Sequence, residues 1–288
     1  MKTIAVHNGQ FHADEVFAIA ILKLVFKDIK VIRTRNSNIY DKADFRVDLG
    51  MRLDPKTGDF DHHQKEGAGE RYNGIPYAAA GLIWNEFGRK LVDTEEEWEI
   101  IDRKLIQPID AGDNGYPYYE SENINPYVLN TFVESFCPSW DQESDYRKEF
   151  DYVVGVAVEL LKCEINLAKG ITKAQDIVMA AIKEYEGKDY MILNFYCPWK
   201  RVVREESEFK FVILKGRDNL WYVNTVSDGN TQYGVRKSLP EEWGGLEGKE
   251  LQDVSEVEDA IFCHKKLFIG AAKSKEGAIK MVEKALKN

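Results

Sequence analysis

Cysteine is scarce in this chain, with four among 288 residues. Cys137, Cys163, Cys197 and Cys263 stand too far apart to form a C-x-x-C pair. That excludes a paired-thiolate zinc site and a disulfide scaffold, and the four read as reduced thiols. Long apolar runs are missing too. The best candidate, VFAIAILKLVF, carries Lys23 and falls well short of the ~20 residues of a membrane span. MKTIAVHNG offers too few apolar residues for a secretory leader, so a cytoplasmic protein with no membrane partner is expected. Positive charge is in deficit: Asp and Glu outnumber Lys and Arg by 49 to 39, for a net charge of −10. Long-duplex binders usually carry the opposite surplus, because neutralising phosphates drives their affinity. An anionic substrate must therefore be met locally, by cations gathered in a cleft. No H-E-x-x-H helix supports peptide cleavage, and no repeat or low-complexity tract interrupts the chain.

What is present reads as globular. Apolar residues make up 44% of the chain, and its length suits one large domain or two ordinary ones. KTIAVHN, KVIRTR, FRVDLG and GDFDHHQ are strand-like, the last after the turn signal DPKTG. Between them, ADEVFAIAILKLVF is too densely apolar for a surface helix and predicts a buried one. PYAAAGLIWNEFGRKL predicts a small-residue helix suited to close packing on a sheet. The alternation predicts an α/β fold, with a mostly parallel sheet covered by helices on both faces. From 92 to 187 the pattern turns helical, with Thr94 and Thr172 as N-caps and Gly170 and Gly187 as stops. Beyond 187 the texture is strand-like again and closes on the helix SKEGAIKMVEKAL. We expect two domains: 1–187, with a helical extension, and 188–288, a smaller α+β domain.

Histidine is the rarest polar residue, and four of its five copies fall in residues 1–63. They form two clusters, HNGQFHADE and DHH, each where a predicted strand gives way to a loop. Asp48 ends the strand FRVDLG between them, and PIDAGDNG adds Asp110 and Asp113. The set is His7, His12, Asp14, Asp48, Asp61, His62, His63, Asp110 and Asp113. Imidazoles and carboxylates without thiolates suit Mn²⁺, Mg²⁺, Co²⁺, Fe²⁺ or Zn²⁺ in a hydrolytic site. A metal pair needs a shared carboxylate and several terminal ligands, and this set supplies both. If DHH is extended, His62 and His63 point to opposite sides, and Asp61 orients an imidazole from behind rather than binding metal. Glu15 either anchors the loop or accepts a proton, or is simply an acid in a first helical turn. Each motif alone is a surface accident or a turn; together they sit at four successive element ends.

The order HNGQFHADEVFAIAIL, VDLG, DHHQ and PIDAGDNG resembles the MYG1 (UPF0160) family, a branch of the DHH phosphoesterase superfamily. NFYCPWK, VRKSLPEEWGGL and IFCHKKLFIGAAKSKEGAIKM extend the likeness over nearly the whole chain. The resemblance implies two divalent cations, Mn²⁺ first among them, at the edge of a parallel sheet. It implies His7 and His12 on one ion, Asp14 on the other and Asp48 bridging. His62 completes the second site with an aspartate of DAGDNG, and His63 contacts phosphate, so that Asp48, His63 and Asp14 carry the chemistry. Two departures stand out. His12 occupies a place where the wider superfamily usually has aspartate, and FIGAAKSKEG carries Ala271 in place of a second glycine and has no histidine.

In the C-terminal part, Arg236 and Lys237 are candidates to clamp a phosphate. Lys200 and Arg201 are clamp or surface. Trp221, Tyr222, Tyr233 and Trp243 are either base-stacking residues or core, and His264 reads as structural. The expected function is a metal-dependent phosphodiesterase, a 3′→5′ exonuclease on RNA or short oligonucleotides, with a homodimer left open. The alternatives are a hydrolase of a small phosphorylated metabolite or dinucleotide, and a metal-binding module without catalysis.

Overall fold

Strand alternation builds the first sheet. Ile4 and Val6 of β1 (Lys2–Val6) face the main core, while Ala5 between them faces a small cluster with Ala43 and Leu49. Both faces of the strand are thus buried, as a central parallel strand requires. The computed structural model describes residues 1–117, 123, 126–143, 145–231 and 234–288. They divide into two compact units, Met1–Lys169 and Gly170–Asn288.

In the first unit β1 leads to α1 (Ala13–Phe26), β2 (Ile29–Arg33), α2 (Ser37–Tyr40), β3 (Phe45–Val47), β4 (Leu53–Asp54) and β5 (Asp59–Phe60). The sheet order is β2-β1-β3-β5-β4, parallel except where β4 pairs antiparallel with β5. The mostly parallel sheet expected from the sequence is the one observed. Residues 13–22 of α1 are all buried, because the helix lies between the sheet and α3 (Ala79–Phe87). Trp84, Phe60, Phe11 and Phe150 fill the same core. The chain continues through α4 (Glu95–Ile101), a π-helical stretch at Asp102–Ile106, and α5 (Gln107–Asp113). Thr94 caps α4 by accepting from the Glu97 N–H. After α6 (Leu129–Glu134) comes α7 (Tyr146–Glu184), a helix of 39 residues.

The break expected at Gly170 and Thr172 does not occur, and α7 runs through both. A helical glycine costs about 1 kcal/mol relative to alanine, too little to end a helix whose flanks are packed. Ala168 is buried on one side, and Ala174 and Val178 on the other.

In the second unit the strands are β6 (Tyr190–Leu193), β7 (Phe211–Lys215), β8 (Trp221–Thr225), β9 (Ala260–Cys263) and β10 (Ile269–Ala272). Three helices join them: α8 (Lys200–Glu206), α9 (Gly248–Ser255) and α10 (Lys275–Lys287). The order is β6-β7-β8-β10-β9, with β6 parallel to β7 and the remaining pairs antiparallel. Phe211 and Ile213 of β7 pack with α10, while Val212 and Leu214 pack with α8 and with Ala174 and Val178 of α7. Helices therefore cover both faces. Trp243 is 2% exposed and belongs to the core, not to a stacking surface; Tyr233 lies outside the described residues. No helix among the described residues is long and apolar enough to cross a membrane.

Candidate metal centre

Parallel strands deliver the site. β1, β3 and β5 run in one direction, and His7, Asp48 and Asp61 each stand one residue beyond their strand's end, so they share the carboxyl edge of the sheet. The loop between His7 and α1 is pinned by Arg33. Its guanidinium donates to the carbonyls of His7 (3.2 Å), Gly9 (3.0 Å) and Tyr146 (3.3 Å) and lies over the Phe150 ring. Glu15, fully buried, settles its own role: its carboxylate accepts from the His12 N–H at 2.8 Å and lies 2.9 Å from His7 Nε2. It anchors the loop.

Asp48 sits at the centre. Its Oδ2 is 3.2 Å from His7 Nε2, and its Oδ1 is 3.4 Å from His62 Nε2 and 3.3 Å from His63 Nδ1. Three groups bring ligand atoms within 4.8 Å of one another: His7, His12, Glu15 and Asp48; Asp48, His62 and His63; and His12, Asp14 and Asp113. Asp48 belongs to two of them and His12 to two. The backbone at Asp48 takes φ +52°, with Gly50 at +101° and Met51 at +56°. Left-handed backbone is costly for most side chains and tolerated best by Gly, Asn and Asp. Through this turn the Asp48 N–H stays bonded to the Phe60 carbonyl at 2.9 Å.

The DHH stretch departs from expectation. β5 ends at Phe60, so His62 and His63 are not on a strand and do not alternate. Their rings lie 4.3 Å apart, both against Asp48 Oδ1. Asp61 accepts from the Met51 N–H at 2.6 Å and the His63 N–H at 3.1 Å, and its Oδ1 is 2.8 Å from His63 Nδ1. It fixes the imidazole of His63, which is half-exposed in a cavity of about 350 Å³. Arg35 and Tyr40, neither singled out in the sequence, line that cavity too. Their signal was present: Arg35 closes the run VIRTR beyond β2, at the same sheet edge as His7.

The two aspartates of DAGDNG part company. Asp113 Oδ2 lies 3.2 Å from His62 Nε2 and joins the cluster. Asp110 is fully buried elsewhere: it lies 2.8 Å from Arg71 Nη1 and accepts from the Gly81 N–H at 2.9 Å. Arg71 also holds Asp102 at 2.8 and 3.0 Å. Gly81 is obligatory, because a Cβ there would lie 1.8 Å from Asp110 Oδ2. Asn114 closes α5, its side-chain amide donating to the Asp110 carbonyl. Arg236 and Lys237 belong to the second unit. The Arg236 guanidinium donates to the carbonyls of Phe209 (3.0 Å) and Arg204 (2.7 Å), and Lys237 is half-buried.

Electrostatics bind these groups together. Burial works against a charged His7, yet its hydrogen bonds to Asp48 and Glu15 carry its pKa up to about 10. Burial likewise opposes charge on His62, and Asp113 and Asp48 raise it to about 10. Asp48 raises His63 to about 9, against burial and with help from Asp61. Burial pushes the Asp14 carboxyl well up, reinforced by the charges of Asp48, Asp113 and Glu15. Burial would raise Asp48 too, but the three imidazoles hold it below the usual carboxylate range. Four buried atoms here, Asp14 Oδ1, Glu15 Oε1, Asp48 Oδ1 and His62 Nε2, make no well-aligned hydrogen bond, close as the imidazoles and carboxylates lie. Unsatisfied buried polar atoms are expensive, and cations held among these groups would offset that cost. The donor set fits divalent ions.

The family model described as "Uncharacterised protein family (UPF0160)" matches residues 3–286. The MYG1 protein of Dictyostelium discoideum is 30% identical, with 99% of this chain and 96% of that protein covered. The MYG1 protein of Saccharomyces cerevisiae is 29% identical, with the same shares covered. The MYG1 exonuclease of Homo sapiens is 29% identical over 98% of this chain and 85% of its own.

Proposed function

The chain belongs to the UPF0160 family, and on that premise we propose that it is a metal-dependent phosphodiesterase, an exonuclease acting on RNA or short oligonucleotides. The name of its human relative, an exonuclease, supports the nuclease class. One observation carries the metal dependence: Asp48 turns one carboxylate oxygen to His7 and the other to His62 and His63. A carboxylate with ligand groups on both sides suits two ions, the membership that the DHH superfamily reading also implies. His7, His12 and Asp48 would hold one, beside Glu15; Asp14, His62 and Asp113 would hold the other, with Asp48 shared. Mn²⁺ fits this oxygen and imidazole set. When bound, such ions acidify water and neutralise phosphoryl oxygens.

The chain's own residues do the rest. His63, with Nδ1 fixed by Asp61, presents its other nitrogen to the cavity, where it can donate to a phosphate oxygen. Arg35 adds a cation at the cavity wall. Arg33 and Glu15 hold the loop so that His7 and His12 need no reordering on binding.

The test is a labelled oligoribonucleotide incubated with metal-stripped protein, with and without Mn²⁺. Mn²⁺-dependent release of single nucleotides is the expected result. Absence of cleavage with any divalent ion would leave a binding module. A second reading, hydrolysis of a dinucleotide or small phosphorylated metabolite, is favoured by the cavity of about 350 Å³, near the lower end of ligand-site volumes. Faster turnover of a dinucleotide than of a ten-nucleotide strand would select it.

A further inference from the structure

A second cavity lies wholly within the second unit, about 480 Å³ in volume, at the start of α8 and beside the turn between β9 and β10. Among the described residues, the ten that line it include four cations, Lys200, Arg201, Arg204 and Lys266, and no carboxylate. In a chain of net charge −10 that is a local inversion. Glu205, outside the lining, offsets part of it, at 3.2 Å from Arg201 and 2.9 Å from Arg204. Both ion pairs are half-exposed and of the weak surface kind, so they yield readily to a stronger anion.

The same lining includes an exposed aromatic ring. Phe268 is 40% exposed although its backbone is fixed, its carbonyl accepting from both the N–H (3.0 Å) and the hydroxyl (3.1 Å) of Thr225. The His264 ring packs against that of Phe268, the two ring centres 4.6 Å apart. An exposed aromatic on a rigid backbone is a platform for a planar ring. Arg236 shapes the same cavity indirectly: by capping the Arg204 carbonyl at 2.7 Å it ties down the helix that presents Arg204.

From these features we propose that this cavity is a nucleotide-binding site separate from the metal centre: cations for a phosphate, Phe268 for the base. The volume is several times what a lone phosphate fills and lies within the range of small-ligand sites. The choice of nucleotide rests on the nuclease reading; the phosphate-and-ring chemistry does not. Its source is either a free mononucleotide or one unit of a strand.

Equilibrium binding to the full chain in EDTA, where nothing is turned over, tests the site. The probes are adenosine 5′-monophosphate, adenosine, inorganic phosphate and a 5′-phosphorylated pentaribonucleotide. The monophosphate should bind at least tenfold more tightly than adenosine or phosphate. Lys266→Ala and Phe268→Ala, both at exposed positions, should each weaken it about tenfold, while Asp48→Asn leaves it unchanged. A pentanucleotide that displaces the monophosphate assigns the site to a strand, and one that does not assigns it to the free nucleotide; either upholds the class. Phosphate binding as tightly as the monophosphate would overturn the proposal, as would binding lost in Asp48→Asn but intact in both cavity variants. Because binding and not turnover is read, an inactive chain can still uphold the site, and an active nuclease can still refute it.

Discussion

At the scale of single residues, Asp48 concentrates the most chemistry. Asparagine tolerates left-handed backbone as well as aspartate does, so Asp48→Asn should fold normally and lose the charge that the groups on either side share. We expect Mn²⁺-supported cleavage to fall at least a thousandfold, on the order of 4 kcal/mol of transition-state stabilisation, with an unchanged circular dichroism spectrum. Wild-type rates in that variant would remove the shared-ligand assignment. Protons compete for the same site. Ligation requires neutral imidazoles, and the neighbouring carboxylates hold His7 and His62 up at about 10 without metal. Metal binding must therefore expel protons at neutral pH, and apparent affinity should climb as pH rises, about tenfold per unit for each proton released. Mn²⁺ titrations at pH 6.5 and 8.5 read this directly. A flat profile would mean that the imidazoles are not ligands.

Elements show where sequence reasoning reached and where it stopped. α1 was legible to the residue, because so dense an apolar stretch is buried on all sides, as residues 13–22 are. The strand ends at Val6, Val47 and Phe60 were nearly so, because polar residues follow each apolar run. The partition of DAGDNG was not legible. Spacing along α5 does not disclose that Arg71, far upstream, claims Asp110 and leaves Asp113 to the histidines. That arginine should matter for stability more than for chemistry. Its charge is buried between Asp102 and Asp110, whose carboxyl burial has already raised to about 7 against the arginine's pull. Arg71→Leu should cost about 3–5 kcal/mol, the usual penalty for stranding buried charges, seen as a lower urea midpoint. A loss under 1 kcal/mol would show the pair to be dispensable. Gly170 was misread for the opposite reason: glycine signals a stop only where the chain has cause to turn. Its site in α7 is exposed, and a Cβ there would meet nothing within 4 Å. Gly170→Ala should thus add up to about 1 kcal/mol to stability; a loss of stability would reveal strain that the helix does not display.

For the whole molecule the governing quantity is the mismatch between a negative chain and the anionic substrate proposed for it. General attraction is ruled out at a net charge of −10, so affinity for a strand must come from a handful of local contacts. Single-strand binding loses roughly 0.7 in log K per decade of salt for each phosphate contact. With two or three contacts, the slope for an oligonucleotide should be about −2. Fluorescence anisotropy between 50 and 300 mM KCl would measure it. A slope steeper than about −5 would require an extended basic track.

The left-handed turn at Asp48 also bears on how this protein can change over time. A single base substitution in an aspartate codon yields asparagine or glycine, the two residues best suited to that backbone. Loss of the proposed hydrolysis is therefore one mutational step away without loss of the scaffold, and a lineage taking that step would retain a well-folded descendant free to acquire another task.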